Sequence, residues 1–154
     1  MAYWLMKSEP SVSGIEHLKA MPKQRDHWEG VRNYQARNMM RDQMKIGDLA
    51  FFYHSNCPVP GIVGVIEIVK EGYPDPKAFD PQSKYFDSKS DPENPRWFVV
   101  DVQLQKMFDE VISLQELRAQ HVLADMWILR RGSRLSITPV TAAEWKYIIK
   151  MIKS

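Results

Sequence analysis

The segment 96–108, RWFVVDVQLQKMF, limits the fold of this chain more than any other. Val100, Val102 and Leu104 alternate with Asp101, Gln103 and Gln105. A period of two puts each set on its own face, so the segment predicts a half-buried β-strand. Other apolar runs carry strand signals of their own. YWLMKS at 3–8 is stopped by Glu9-Pro10, and LAFFYHS and GIVGVIEIVKEGY flank the connection NCPVP. In the last of these, Ile62, Gly64, Ile66 and Ile68 are expected on one face. Gly64 would remove a side chain where something approaches the backbone closely.

Between the strands lie short helix signals. Ser13–Glu16, Ser113–Glu116 and Thr141–Glu144 have capping-box spacing. Asn33 is placed to cap a helix from Tyr34 to about Met44. Its buried side would be Ala36, Met39, Met40 and Met44, with Tyr34, Arg37, Arg41 and Lys45 on another side. The segment VLADMWIL predicts a helical turn, and RRGSRLSI a turn followed by a strand. In TAAEWKYIIKMIK, Trp145, Ile148, Ile149 and Ile152 would form the apolar stripe of a closing helix. Residues 74–95 hold five of the ten prolines and predict a long loop, pinned to the body by Phe79, Tyr85 and Phe86. About five strands with short helices, no βαβ alternation and no dinucleotide fingerprint favour a mixed β-barrel or α+β domain.

A chain of 154 residues is enough for one domain burying roughly 70% of its unfolded surface. Net charge is only +2, so any nucleic-acid contact must rest on a local patch. The single cysteine, Cys57, excludes an internal disulfide framework. The apolar stretch GIVGVIEIV is broken by Glu67 and too short to cross a bilayer, and MAYWLMKSEP lacks the form of a leader. The expectation is a soluble, intracellular protein without membrane association.

Most catalytic and metal patterns are missing. Cys57 follows His54 by three residues but has no orienting acid nearby, and a lone cysteine is ordinarily a small hydrophobe. The histidines at 17, 27, 54 and 121 are scattered, the loop aspartates lack an EF-hand arrangement, and no phosphate-cradling glycine loop occurs. No cofactor is expected. Two clusters of cations stand out: Arg32 with Arg37, Arg41 and Lys45, and Arg130 with Arg131 and Arg134. Charged helix faces are ordinarily just solvated. Beside an Asn-capped helix start, these groups could instead hold a phosphate backbone. Trp28 and Trp97 sit at turn-like or strand-end positions, where a Trp usually closes a core but can stack on a flat ring.

Taken in order, YWLMKSEP, WEGVRNYQARN, GDLAFFYHS, the glycine pair of GIVGVIEI, PRWFVVDV and RRGSRLSITPVT resemble the EVE domain, over essentially the whole chain. The resemblance implies a single domain, 1–154, of the PUA-like group that also contains ASCH and YTH domains. The implied fold is α+β, a pseudo-barrel of about five to six mostly antiparallel strands with short helices packed around it. The implied function is a non-catalytic reader that flips a modified cytosine or adenine, in DNA or RNA, into an aromatic pocket. A hydrolase acting on a modified nucleoside or RNA, as in some ASCH-type relatives, is the alternative. A bacterial, cytoplasmic setting goes with the lack of a long basic N-terminal tail. By resemblance the base pocket would draw on Lys7, Ser8, Trp28, Asn33, Tyr34, His54, Ser55 and Trp97. Flanking phosphates would meet Arg32, Arg37, Arg41, Arg130, Arg131 and Arg134.

Overall fold

Two long strands, β4 (Gly61–Pro74) and β5 (Phe98–Ser113), run antiparallel through the middle of a six-stranded sheet. The structure is a computed structural model and describes residues 2–28, 31–130 and 135–152. Beside β4 lies β3 (Leu49–His54), antiparallel to it, then β1 (Tyr3–Ser8), parallel to β3, and β6 (Ile137–Val140), antiparallel to β1. On the other side β5 pairs with the short β2 (Arg25–His27). Among the described residues the order is β2-β5-β4-β3-β1-β6, so β2 and β6 are the edges and they do not pair to close a barrel. The sixth strand, β2, carries a polar Arg-Asp-His sequence with no apolar alternation, which is why periodicity does not reveal it.

Both faces of the sheet are covered, which explains why β1 and β3 are apolar at consecutive positions. Trp4, Met6 and Phe52 face one core, with Ile66, Ile68, Val100, Val102 and Leu104. Leu5, Phe51 and Tyr53 face the other, with Val65, Phe108 and Ile112. The first core is closed by α2 (Ile15–Ala20) and α3 (Tyr34–Asn38), the second by α4 (Leu114–Arg118) and α5 (Ala142–Met151); α1 (Pro10–Ser13) is a single turn after β1.

The expected shared face of β4 is split. Ile62 belongs to the second core, while Ile66 and Ile68 belong to the first. The pairing with β3 slips here: the adjacent Phe52 and Tyr53 pair with Gly64 and Ile62, so β4 carries one extra residue, Val63, and the side chains beyond it change faces. Gly64 sits at this bulge. A Cβ there would collide with Ile15 Cδ1 and Lys106 O, so α2 and β5 close in on the bare backbone as the sequence suggested.

The capping boxes at Ser113–Glu116 and Thr141–Glu144 are both formed. By contrast, α2 begins one residue later than a Ser13 cap requires, with Gly14 at its N-cap and no side-chain cap bond. Asn33 does cap α3: its Oδ1 accepts from Ala36 N at 3.0 Å. The helix does not run on regularly to Met44. Residues Met39–Gln43 form a π turn, closed by Met44 N donating to Met39 O at 2.9 Å, which still buries Met39, Met40 and Met44. At the C-terminus Trp145 and Ile148 are buried, but Ile149 is exposed and leaves the stripe. The long loop is built from local turns. Asp80, Asp87 and Asp91 each accept the backbone N–H two residues on, the usual role of aspartate in tight turns.

Candidate functional site

A cavity of about 780 Å³ opens where β1 and β2 end on the α2 side of the sheet. That lies within the range of about 300–1,000 Å³ typical of small-molecule sites. Its walls come from four parts of the chain: Lys7, Ser8 and Glu9 at the end of β1; His17 on α2; Asp26, His27 and Trp28 at the end of β2; and Val31, Arg32 and Asn33 leading into α3. Lys84 and Tyr85 of the long loop and Ser136 before β6 complete it.

Trp28 is fixed at both backbone and ring. Its N–H donates to Val100 O at 2.8 Å, which continues the β2–β5 pairing by one residue. Its indole meets Phe52 edge to face, with centroids 5.1 Å apart. It is half-buried, so one part packs on the first core while another borders the cavity. Trp28, flanked in sequence by Asp26, His27 and Glu29, thus forms a wall shared by core and cavity.

Around it the cavity is polar. Asp26 Oδ2 lies 3.4 Å from His17 Nε2, and Asp26 Oδ1 lies 3.3 Å from His27 Nδ1. Lys7 is held by its backbone, donating to Ser136 O at 2.8 Å. Burial pushes the Lys7 ammonium below the usual lysine range, and no carboxylate of the described residues pairs with it. Such a group favours an acceptor atom in whatever fills the cavity. Asn33 turns its carbonyl to the α3 cap, so its amide N–H donors are what it chiefly offers the cavity.

The remaining expected residues lie elsewhere. Tyr34 and Trp97 stack on each other, 5.0 Å between centroids, outside the cavity lining. Trp97 is buried and its Nε1 donates to Asp87 Oδ2 at 2.7 Å. His54 Nε2 accepts from Ile15 N at 3.1 Å, and burial holds its pKa below the ordinary histidine value. Ser55 N donates to Ser8 O at 3.0 Å; like His54, Ser55 does not line the cavity.

The cations expected on phosphates are mostly committed to protein. Arg37 donates to Asn38 Oδ1 and to Arg96 O, both at 2.8 Å. Arg41 chelates Asp42 at 2.8 and 2.9 Å. Arg32 pairs with buried Asp75. Arg130 is exposed, with its guanidinium 4.6 Å from the Trp127 ring centroid, while Arg131 and Arg134 lie outside the described residues. The cavity also holds His17, Asp26, His27, Val31, Lys84, Tyr85 and Ser136, which the sequence did not assign to the base pocket. Asp26 and His27 directly precede Trp28, a local signal that could have found them; Lys84, Tyr85 and Ser136 arrive only through tertiary contacts.

Residues 2–151 match the family model described as the EVE domain. This chain belongs to the EVE domain family. Among its relatives, thymocyte nuclear protein 1 of Danio rerio is 46% identical over 165 residues, covering 96% of this chain and 71% of that protein. The human thymocyte nuclear protein 1 is 44% identical, covering 97% and 73%. Among solved structures, human THYN1 protein in complex with 5-methylcytosine-containing DNA superposes with a TM-score of 0.93 at 44% identity, covering 100% of this EVE domain and 99% of that chain. A protein of Pseudomonas syringae gives 0.92 at 47% identity, covering 97% and 99%. The open six-stranded sheet with its short helices is therefore the fold of these relatives as well, in keeping with the α+β pseudo-barrel expected from the sequence.

Proposed function

We propose that this EVE domain binds DNA carrying a modified cytosine, and that the modified base leaves the stack to enter the cavity beside Trp28. The observation that carries this reading is a polar cavity walled by a fixed indole, in a fold shared along its whole length with a protein seen on 5-methylcytosine-containing DNA. Turning a base out of a duplex costs a few kcal/mol. Stacking on an aromatic side chain returns about 1–3 kcal/mol, so hydrogen bonds must supply the rest.

The cavity has the groups for that. Cytosine presents an amino donor, which a carboxylate accepts, next to ring acceptors. Asp26 offers the carboxylate, and Lys7 and Asn33 offer donors. Buried Val31 supplies an apolar patch of the lining for a 5-methyl group. Lys84, exposed at the rim, is placed to meet a flanking phosphate. The chemistry is recognition, with no bond made or broken.

Fluorescence anisotropy of two duplexes differing only in one 5-methylcytosine tests the proposal, with 2-aminopurine beside the modified position to report unstacking. Tighter binding of the modified duplex with a rise in 2-aminopurine emission is expected. Equal affinity for both duplexes, or binding that leaves the reporter stacked, would overturn it.

A further inference from the structure

Arg32 lies on the cavity wall, but its guanidinium spends its donors on protein. Nη1 donates to Asp75 Oδ2 and to Val31 O, both at 3.0 Å, and Nη2 donates to Tyr85 O at 2.7 Å. Its Cζ stands 5.5 Å from the Tyr85 ring centroid and 5.3 Å from that of Trp97. Asp75 is completely buried at the end of β4. Its other oxygen accepts from Lys77 N at 2.9 Å, and its own N–H donates to Trp97 O at 2.9 Å. A buried carboxylate needs a paired cation, and Arg32 supplies it. The positive charge of Arg32 is thereby neutralised from within, which leaves little of it for a phosphate.

The geometry of the clamp serves the cavity. It ties the entry to α3, the end of β4 and the middle of the long loop to a single planar group. Tyr85 is anchored a second time, its N–H donating to Ser83 Oγ at 3.1 Å. The loop thus brings Tyr85, with Lys84, to the lining that already contains Trp28. Trp97, the other aromatic expected there, is occupied by Tyr34 and Asp87.

Resting on the function proposed above, we infer that Tyr85 is the second aromatic surface of the base pocket. Arg32 is then a positioning residue that holds Tyr85 in place through Asp75 and the Tyr85 carbonyl. A lysine cannot replace it, because one ammonium does not reproduce a fork that reaches both a carboxylate and a backbone carbonyl.

The test uses Tyr85→Ala, Tyr85→Phe, Arg32→Lys and Arg32→Ala, each titrated with the 5-methylcytosine duplex and its unmodified counterpart across a salt series. Tyr85→Ala should weaken the modified duplex roughly 5- to 150-fold, while Tyr85→Phe keeps most of the affinity. Arg32→Lys and Arg32→Ala should both lose preference for the modified duplex, leaving the slope of log K against log salt unchanged. If Arg32 held a phosphate, Arg32→Lys would bind nearly as wild type, and Arg32→Ala would flatten that slope by about 0.9 for both duplexes; that result overturns the assignment. If the Arg32 variants fail to fold, Tyr85→Ala decides, since it leaves every Arg32 hydrogen bond in place. A wild-type protein that prefers the modified duplex and a Tyr85→Ala variant that keeps the whole preference would sink this inference alone. A wild type without preference would sink the base-reading function, and this inference with it.

Discussion

Replacing Trp28 by alanine separates the two jobs of this indole. Toward the cavity it offers a stacking face, worth about 1–3 kcal/mol per base, so the variant should bind a 5-methylcytosine duplex roughly 5- to 150-fold less tightly. Toward the core it makes an edge-to-face contact with Phe52 at 5.1 Å, and it is only half-buried. Full truncation of a buried aromatic costs about 3–5 kcal/mol, so about half of that is expected here. A domain of this size usually has about 5–15 kcal/mol of stability, so the variant stays folded. Its Tm should fall by roughly 3–10 °C, at about 2–4 °C per kcal/mol. The bond from residue 28 N to Val100 O is a backbone bond and survives the change. Anisotropy titrations of modified and unmodified duplexes, paired with thermal unfolding, read both effects. Trp28→Phe should keep most of the affinity, because a ring remains. A folded Trp28→Ala protein with undiminished preference for the modified duplex would refute the stacking argument.

Three further changes probe separate parts of the structure. His54 is held below the ordinary histidine pKa of 6.5 by burial, and its Nε2 must stay unprotonated to accept from Ile15 N–H. Its contribution to stability is therefore complete above about pH 6.5 and is lost as pH falls through the lower folded-state value, because the unfolded chain takes the proton first. Denaturant unfolding at a series of pH values from 7.5 to about 5 should show a component of destabilisation that His54→Gln removes. Lys7→Met removes a half-buried ammonium that no described carboxylate pairs with, so its Tm should hold or rise while oligonucleotide affinity drops about tenfold or more; unchanged affinity would take Lys7 out of the site. Lys84→Ala should weaken modified and unmodified duplexes alike and reduce the salt slope by about 0.9, and a loss confined to the modified duplex would contradict its placement on phosphate.

What could be read from the sequence follows the range of the forces involved. Strand β1 and the caps at Asn33, Ser113 and Thr141 depend on neighbours within a few residues, and all stand where the sequence puts them. The split face of β4 escaped because a bulge is set by pairing with β3, and counting parity along β4 alone carries no trace of that partner. The same division runs through the site. Lys7, Ser8, Trp28 and Asn33 reach the cavity directly from the ends of β1, β2 and the approach to α3. Trp97, Tyr34, His54 and Ser55 have the right chemistry, but each is claimed by a contact with residues distant in sequence or by the adjoining strand. Tyr85 is the converse case: the sequence marks it only as an anchor of the long loop, and its place at the cavity depends on Arg32, 53 positions away.

The fate of the cations shows why a formal charge count says little about how this domain would meet a nucleic acid. Arg32, Arg37 and Arg41 looked like a basic stripe, yet the first neutralises a buried aspartate, the second caps a loop carbonyl, and the third closes on its neighbour Asp42. Each of these bonds would have to break before the guanidinium could fully engage a phosphate, and the buried pair at Asp75 would leave an orphaned carboxylate behind. With these guanidinium groups paired to protein, few phosphates would be neutralised on binding, so few of the counterions condensed on the DNA would be released. On the function proposed above, discrimination would come from the cavity, where one base would be enclosed, more than from the backbone, which every sequence presents alike. A near-neutral surface suits that division of labour. It would keep sequence-independent adhesion weak, so that under the proposed function a difference as small as one methyl group could still decide where the domain settles.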